Sequence, residues 1–492
     1  MKQLLLAVLY GILGFVAGGI AVYILTMQAG PDLAPWHLVE LDEEFTADDK
    51  DRITDLDGYR DMEDRLFQQL KDEVYGDDPE TDPIFNRFHR GSWSDPFEFE
   101  INWNRTFEFV PDSPKFGVLM LHGLSDSPYS LRALSEGLYE RGARVVGLRL
   151  PGHGTAPSGL DRVKWQDLTT AARLAARDLC QKIGPDRPFY ITGYSNGASL
   201  ALEYTLSVLE GEDLRMPDGL ILLSPAVGIT PVAALAKWNL RMSYLPWLEK
   251  MGWNSIQPEF DPYKYNSFAI NAGDQIYRLL RGVTARMKRL DPSGKGIKNF
   301  PPVLAFQSVA DATVVTDAVV KNLMQRLAPD NHHLVLFDVN RISGAADFFA
   351  RDTSSLIESL FKAPLPFDLT LITNKDPSSR KVVARHKPTE SDSEEVERTG
   401  LSWPREVYSL SHVAIPFSPE DPVYGLRSEE EGRLLTLGSL EPRGERALLQ
   451  VPVESLMRLR YNPFYSYVEE TVFERLGARV ENAQRAHSSH LP

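Results

Sequence analysis

The sequence predicts an α/β protein with a mostly parallel, doubly wound sheet, preceded by one N-terminal transmembrane helix. Short apolar runs alternate with stretches long enough for helices, which is typical of parallel strands joined by crossover helices. An uncharged apolar stretch of 24 residues near the N-terminus predicts the transmembrane helix. Ligands of doubly wound sheets bind beyond the carboxyl ends of the strands, so functional residues are expected in the loops after the apolar runs. The runs cover residues 116–121, 143–148, 189–192, 220–223, 303–306 and 334–337.

The first element is the apolar stretch at residues 4–27. As a helix it would span about 36 Å, more than the roughly 30 Å of a hydrocarbon core. Gln28 and Ala29 follow it and form a poor cleavage site for a signal peptide, so an uncleaved signal anchor is expected over residues 1–29. Lys2 precedes the stretch and acidic residues follow it. The positive-inside rule then predicts a single-pass protein with a cytoplasmic N-terminus and its body on the outer, extracytoplasmic side.

Most of the excess negative charge lies in the segment after the apolar stretch. The formal net charge is −15, and residues 40–82 alone contain 18 acidic and 5 basic side chains. This segment is expected to be part of an acidic, partly helical stalk over residues 30–95, with an apolar stripe that packs on the body. The acidic balance disfavours binding to nucleic acid. The stripe consists of Ile53, Leu56, Tyr59, Met62, Leu66 and Leu70.

The body begins with two short segments in which apolar and polar residues alternate. Residues 97–101 and 107–109 have the period of two that predicts antiparallel strands, placed at the edge of the sheet. The rest of the chain is divided by its motifs and composition. The expected parts are a first half of the sheet domain at 96–227, a cap at 228–300, a second half at 301–430 and a C-terminal helical extension at 431–492.

A nucleophile is predicted directly after the third apolar run. Gly193-Tyr194-Ser195-Asn196-Gly197 lies between a predicted strand and a predicted helix, which is the context of a nucleophile elbow. The glycines on both sides of the serine allow strand and helix to approach closely without a Cβ clash. We therefore predict that Ser195 is the nucleophile, against the simpler interpretation of a serine that caps a helix.

The amides of Leu124 and Asn196 are predicted to form an oxyanion hole. Such a hole uses the amide that follows the nucleophile and another from the loop after an earlier strand. That loop contains His122-Gly123, and a second tight loop, at residues 150–155, contains His153. Both histidines are expected to be structural, with backbone groups as their partners.

These motifs, in this order, resemble those of the monoacylglycerol lipase, lysophospholipase and bacterial carboxylesterase group of α/β-hydrolases, which also includes serine aminopeptidases. The resemblance covers roughly residues 115 to 430 and implies an α/β-hydrolase fold with a helical cap. The family places the acid of its triad after a late strand, and the run that ends at Phe306 leads to Asp311 in a segment of that shape. Asp311 is therefore the expected acid, although a turn-capping role is the alternative.

The expected base is His412, which departs from the usual family spacing. The family carries a histidine about thirty residues after the acid, but none follows the apolar run 334–337. His332 and His333 precede that run and are expected at the surface, and His386 lies in a polar stretch. Residues 406–410 look like a strand that leads into His412. A neutral His412 would accept the proton of Ser195, and Asp311 would fix its tautomer.

This assignment requires an insertion of about residues 340–404 before the final strand. A connection of that length needs structure of its own, and residues 369–373 and 381–385 could be strands within it. The polar residues 376–400 are expected to be exposed and mobile. Beyond the sheet domain, residues 453–476 are expected to be helical and to pack on the body.

The predicted cap is rich in aromatic side chains that could line an acyl pocket. Trp238, Trp247, Trp253 and Tyr265 are the candidates for substrate contact. Packing of the cap on the sheet is the alternative for each of them. The full aromatic set is Trp238, Tyr244, Trp247, Trp253, Phe260, Tyr263, Tyr265 and Phe268.

The residues and the resemblance together predict a membrane-anchored serine hydrolase that cleaves small-molecule acyl esters, with lipid-like acyl groups, through an acyl-enzyme. No cofactor or metal is expected, and a single cysteine, Cys180, excludes an intramolecular disulfide. Two other functions stay open, and so does the oligomeric state. An aminopeptidase or amidase would need an acidic anchor for an amine, such as Glu249, Glu259 or Asp261. A non-catalytic interaction protein could keep the fold without the chemistry.

Overall fold

A sheet of ten strands forms the centre of the computed structural model, which describes residues 1–75, 85–228, 243, 248–342, 349, 352–426, 437–439 and 452–488. Two further short strands pair with each other in the cap. In chain order the strands are β1 (Phe107–Phe109), β2 (Phe116–Leu121), β3 (Ala143–Leu148), β4 (Phe189–Tyr194), β5 (Gly219–Leu223), β6 (Trp253–Ser255), β7 (Phe268–Ala269), β8 (Val303–Ser308), β9 (His333–Phe337), β10 (Asp368–Asn374), β11 (Lys381–Lys387) and β12 (Glu395–Ser402).

The main sheet has the strand order β1-β3-β2-β4-β5-β8-β9-β10-β11-β12. The strands from β3 to β10 are parallel to their neighbours, whereas β1 at one edge and β11 and β12 at the other are antiparallel. All six predicted parallel strands are present, and β4 and β8 extend further than predicted. The predicted fold class is confirmed.

Helices cover both faces of the sheet, so the central strands are buried on both sides. In β2, Leu119 and Leu121 pack in one apolar cluster, while Val118 and Met120 pack in the other. This alternation is the period of two that a strand imposes on its side chains. The described helices of four or more residues, apart from short 3₁₀ turns, are α1 (Lys2–Gln28), α2 (Pro35–Leu38), α3 (Leu56–Val74), α4 (Arg132–Glu140), α5 (Ser158–Arg162), α6 (Trp165–Ile183), α7 (Asn196–Leu209), α8 (Ile270–Leu290), α9 (Thr316–Asn322), α10 (Ser354–Lys362), α11 (Val453–Leu456) and α12 (Tyr465–Ser488).

The first helix, α1, is exposed and apolar. Its segment Gln3–Thr26 has a mean hydropathy of 2.3, and none of the side chains that the structure describes in it is buried in the rest of the protein. A helix of this length and composition fits either a membrane anchor or a signal sequence. Its last turn contacts the cap, where Lys250 Nζ donates to the carbonyls of Gln28, at 3.2 Å, and Gly30, at 3.1 Å.

The acidic segment after α1 is folded on the body. All six residues of the apolar stripe are buried. Four of them belong to the same apolar cluster as Leu119 and Leu121 of β2, namely Leu56, Tyr59, Met62 and Leu66. Asp55 starts α3 with a side-chain oxygen that accepts from the amide of Gly58 at 2.8 Å. The helix therefore covers one face of the sheet domain.

Three local expectations about strands are wrong. Residues 97–101 form no strand, because Pro96 and the side chain of Asp95, which accepts from the amide of Phe97 at 2.9 Å, favour a 3₁₀ turn at Pro96–Glu98. Residues 376–400 are not a mobile excursion, since they contain β11 and part of β12. Residues 406–410 are not a strand.

The segment 406–410 is held by side chains rather than by a strand ladder. The amide and side chain of Asn340 donate to the carbonyls of Tyr408 and Val407, both at 2.8 Å. Ser308 Oγ, at the end of β8, donates to the carbonyl of Leu410 at 2.7 Å. These bonds fix the chain two residues before His412.

The C-terminal segment packs on the body as expected, but its helices are placed differently. A short α11 and a long α12 are separated by residues 457–464, which are not helical. Pro463 in this stretch disfavours continuation of a helix. Phe464, Val468 and Val472 are fully buried against the sheet.

Candidate active site

Ser195 lies at a sharp turn between β4 and α7. Its backbone has φ 52° and ψ −111°, a conformation that L-residues adopt only under strain. A Cβ at Gly193 would lie 2.5 Å from the amide nitrogen of Ala198, and a Cβ at Gly197 would overlap with the carbonyl oxygen of Leu121. The two glycines therefore permit the close approach that exposes the Ser195 hydroxyl at the start of the helix.

His412 and Asp311 lie in line with this hydroxyl. His412 Nε2 is 3.1 Å from Ser195 Oγ, and His412 Nδ1 is 2.7 Å from Asp311 Oδ2. An ionised carboxylate can only accept, so we assign the proton of His412 to Nδ1, and Nε2 is then free to accept from the serine hydroxyl. The structure thus brings together the three side chains that were predicted from distant parts of the sequence.

Asp311 is held in a polar pocket behind the imidazole. Its Oδ1 accepts from the amides of Thr313, at 2.7 Å, and Val314, at 2.8 Å. Burial alone would raise the pKa of the carboxyl, but the hydrogen bond and charge of His412, together with these two amides, outweigh burial and lower the pKa. Asp311 is therefore ionised at neutral pH and stabilises a proton on the imidazole.

The predicted oxyanion residues border the same cavity as Ser195. Leu124 and Asn196 both line it. Asn196 is the first residue of α7, where an amide has no carbonyl partner within its helix. Leu124 lies in a tight turn in which the amide of Asp126 donates to the carbonyl of Gly123 at 3.3 Å. Their role in binding an oxyanion stays a prediction.

The cavity has a volume of about 490 Å³ and a mainly apolar wall. One wall is a face of α8, where lining residues recur at the helical spacing of three or four, which is typical of an amphipathic helix. The charged side chains in the lining are Asp126, Lys264 and Arg458. The apolar and aromatic residues of the cap in the lining are Phe268, Ile270, Ile276, Tyr277 and Leu280.

Of the four aromatic candidates for substrate contact, the two that the structure describes do not line this cavity. Trp238 and Trp247 lie outside the described residues. Trp253 is buried in the core, with its ring edge-on to His37 at 4.8 Å. Tyr265 is also buried, and its hydroxyl donates to the carbonyl of Gly152 at 3.3 Å. Trp253 and Tyr265 therefore pack in the core, which was the alternative considered for them. Phe268, from the same aromatic set, lines the cavity.

The remaining histidines of the sequence analysis serve structural roles. His122 donates from Nδ1 to the carbonyl of Gly123 at 2.8 Å and accepts at Nε2 from the amide of Leu150 at 3.0 Å. His153 Nδ1 donates to the carbonyl of Pro151 at 2.9 Å. Burial lowers the pKa of both rings, that of His153 to about 4, so both are neutral.

The expectation of surface positions for His332 and His333 is wrong. His332 is buried, and its Nδ1 accepts from the amide of Val303 at 3.1 Å. His333 is half-buried at the start of β9, where its Nε2 lies 2.8 Å from Thr370 Oγ1. His386, in β11, contacts the same hydroxyl at 2.7 Å. Because β9 and β10 are parallel neighbours, these rings meet at the end of the sheet opposite to Asp311.

The carboxylates considered as anchors for a substrate amine do not line the cavity. Glu259 accepts from the amides of Asn266, at 2.9 Å, and Ser267, at 2.8 Å. Asp261 accepts from the hydroxyl of Tyr424 at 2.5 Å and pairs with Arg460 at 3.3 Å. Glu249 lies in a 3₁₀ turn of the cap. Lys264 and Arg458 line the cavity but were not predicted from the sequence, because no local motif marks either residue.

The chain was compared with known proteins. The serine aminopeptidase family S33 matches residues 112–340, a region that includes Ser195 and Asp311 but not His412. A thermostable monoacylglycerol lipase of Bacillus sp. (strain H-257) is 27% identical over 188 residues, which cover 37% of this chain and 68% of the lipase.

Solved structures were compared as well. One, from a study of the metagenome-derived lipolytic enzymes LipS and LipT, is 21% identical with a TM-score of 0.39 and covers 48% of this chain and 88% of its own. A monoacylglycerol lipase of Paleococcus ferrophilus is 18% identical with a TM-score of 0.36, over 47% of this chain and 88% of its own. The family match, the curated relative and the sheet described above support an α/β-hydrolase fold for this chain, with sequence similarity to monoacylglycerol lipases.

Proposed function

We propose that this protein hydrolyses carboxylic esters of lipid-like acyl groups, with Ser195 as nucleophile, His412 as general base and Asp311 as the residue that orients it. The observation that carries the proposal is the line of two short contacts from Ser195 Oγ through His412 to Asp311 Oδ2. A serine hydroxyl is a weak nucleophile unless a base accepts its proton, and this alignment supplies one.

The proposed reaction has two steps. His412 Nε2 takes the proton of Ser195 as Oγ attacks the ester carbonyl, and the amides of Leu124 and Asn196 stabilise the negative oxygen. The protonated ring then gives its proton to the leaving alcohol, and an acyl-enzyme remains. Water, activated by the same ring, releases the acid in the second step. The proposed steps use side chains and backbone amides of this protein together with water.

The apolar wall of the cavity supports an acyl substrate. Burial of apolar surface contributes roughly 25 cal/mol per Å², so the face of α8 with Ile276 and Leu280 favours a hydrocarbon chain over a peptide. The cavity is also lined by two cations but only one carboxylate among the described residues, Asp126, which is paired with Lys264 at 2.7 Å. An aminopeptidase would need a free carboxylate to bind a substrate amine, so these contacts favour the esterase.

The proposal extends to the location and organisation of the chain. We infer that residues 1–29 anchor it in a membrane with the N-terminus in the cytoplasm, so the sheet domain and its cap lie on the extracytoplasmic side. Lipid-like esters would be accessible to an enzyme held at a bilayer. A reporter enzyme that is active only outside the cytoplasm, fused after the C-terminus, should be active; an inactive fusion in folded protein would contradict this orientation.

The catalytic roles can be tested by labelling and kinetics. A fluorophosphonate should modify Ser195 in folded protein but leave Ser195→Ala unlabelled. His412→Ala should lower kcat for nitrophenyl esters by about 10⁴-fold, since the base is lost. His386→Ala is the matched control, because it removes an imidazole that does not line the cavity, and it should keep wild-type kcat.

Two results would contradict the proposal. Absence of labelling at Ser195 in the folded wild-type protein would favour the non-catalytic interaction protein. Turnover of aminoacyl amides with a kcat/KM above that of every nitrophenyl ester in a chain-length series would favour the aminopeptidase.

A further inference from the structure

We propose that the ester substrate carries an anionic group and that Arg458 binds this group at the mouth of the cavity. The inference rests on the proposed esterase function and names the substrate class of the same site. It starts from the charges of the lining, where Lys264 Nζ and Asp126 Oδ1 pair at 2.7 Å and neutralise each other. Arg458 then leaves the described lining with one net positive charge, in a chain with a net charge of −15.

The guanidinium of Arg458 has no carboxylate partner within the described part of the chain. Its one hydrogen bond there is long, 3.5 Å from Nη2 to Thr313 Oγ1. Arg460, two residues later, is buried and pairs with Asp261 at 3.3 Å, so this neighbouring arginine does have a carboxylate partner. A guanidinium has five N–H donors, and those of Arg458 that do not bond to Thr313 stay available to a ligand.

Arg458 also lies close to the proposed catalytic residues. Its contact Thr313 is two residues after Asp311, and the amide of Thr313 donates to Asp311 Oδ1 at 2.7 Å. Arg458 and Ser195 line one cavity. A substrate with its carbonyl at Ser195 can therefore extend a charged end to Arg458. This arginine comes from the C-terminal segment, beyond residues 112–340 that match the family.

The partner chemistry follows from the shape of the guanidinium. Its planar fork binds a carboxylate or a phosphate through two parallel hydrogen bonds, which are stronger than those between neutral groups. The anion can sit on the alcohol, as in an acyl glycerol phosphate, or on the acid, as in a half-ester of a dicarboxylic acid. Both place a negative charge a few bonds from the scissile ester.

The experiment compares two matched pairs of esters in the full-length protein. Octanoyl glycerol phosphate and octanoyl glycerol differ in an anion on the alcohol, and mono-para-nitrophenyl glutarate and para-nitrophenyl valerate differ in an anion on the acid. The variants are Arg458→Gln, Arg458→Lys and, as a control, Arg405→Gln, which removes the same charge from an exposed residue that does not line the cavity.

In at least one pair, Arg458→Gln should lower kcat/KM for the anionic ester about fivefold, because KM rises. The same variant should change kcat/KM for the neutral ester less than about twofold. Arg458→Lys should lose less, because it keeps the charge but not the fork. Arg405→Gln should keep the wild-type preference. Higher salt should weaken the preference of the wild type, as expected for a contact at an open mouth. The affected pair identifies the side of the ester that carries the anion.

Equal effects of Arg458→Gln on the charged and neutral members of both pairs would overturn the inference and leave the esterase proposal intact. The same holds if Arg458→Gln and Arg405→Gln behave alike. If the wild type turns over none of the four esters, the proposed function fails, and this inference fails with it. Thermal unfolding of each variant shows whether a loss comes from the fold.

Discussion

At the scale of single residues, the buried carboxylate of Asp311 is the group whose protonation matters most. It accepts from His412 and from two backbone amides, and together these donors lower its pKa despite burial. A carboxylate with a lowered pKa stabilises the folded state at pH values above its unfolded pKa. That contribution is lost as the pH falls through the folded pKa, which lies below the ordinary value of 3.8.

Asp311→Asn should therefore have two effects. The wild type should lose free energy of unfolding more steeply than the variant below about pH 4, because only the wild type has a carboxylate at this position that gains a proton on unfolding. At neutral pH, kcat should fall by about 10⁴-fold, because the amide no longer fixes the tautomer of His412. Urea unfolding at a series of pH values and ester kinetics measure the two effects.

Asp186→Asn is the control for the loss of one carboxylate, since Asp186 is exposed and does not line the cavity. It should match the wild type in both measurements. An Asp311→Asn variant with wild-type kcat would remove Asp311 from the proposed mechanism.

At the scale of elements, α3 is joined to the sheet by a buried ion cluster as well as by its apolar stripe. Glu63 of α3 accepts from Arg149 Nε at 2.9 Å, and Arg149 also donates to Glu44 at 2.8 Å. Arg149 is fully buried directly after β3, and its Nη1 donates to the carbonyl of His153 at 3.0 Å. The N-terminal segment thus supports the loop after β3, which lies next to the turn that contains Leu124.

Glu63→Ala should lower the free energy of unfolding by about 3–5 kcal/mol, because it removes one of two carboxylate partners from a buried guanidinium. The variant also leaves the amide and hydroxyl of Thr106 without their acceptor. Glu43→Ala is the matched control, since Glu43 and Arg65 form an exposed pair at 2.9 Å, and it should change stability by less than about 1 kcal/mol. Chemical unfolding measures both; equal values would show that the buried cluster contributes no more than an exposed pair.

At the scale of the whole molecule, α1 and α3 differ in how much of their surface packs against the sheet domain. None of the described side chains in the apolar segment of α1 is buried, whereas eight residues of α3 are buried. A deletion that ends before Pro31 should therefore leave the body intact, and a deletion that ends after Tyr75 should remove part of its core.

Protein that begins at residue 31 should stay soluble without detergent and keep kcat/KM for a soluble nitrophenyl ester within twofold, whereas full-length protein should sediment with membranes. Protein that begins at residue 76 should be insoluble, because Arg149 and the apolar cluster under α3 become exposed. Fractionation by ultracentrifugation and ester kinetics measure these outcomes. An active, soluble product of the longer deletion would show that the acidic segment is dispensable for the fold.

Local chemistry in the sequence determined the parallel strands, the apolar N-terminal helix and the turn at Ser195. The strands follow from short apolar runs, the helix from the length of its apolar stretch, and the turn from two glycines within five residues. Residues that are neighbours along the chain are enough to specify such features. His412 was also predicted from the sequence, by elimination among distant histidines and from a strand at 406–410 that the structure does not contain.

Only the tertiary structure decided which side chains face the cavity and how the long insertion is used. Strands β10 to β12 extend the sheet and return the chain to Ser308, which places His412 next to Asp311. Trp253 and Tyr265 are buried in the core, while Arg458 reaches the cavity from the C-terminal segment. The physical reason is that the direction of a side chain into a cavity depends on the packing of elements hundreds of residues apart, and no local pattern encodes that packing.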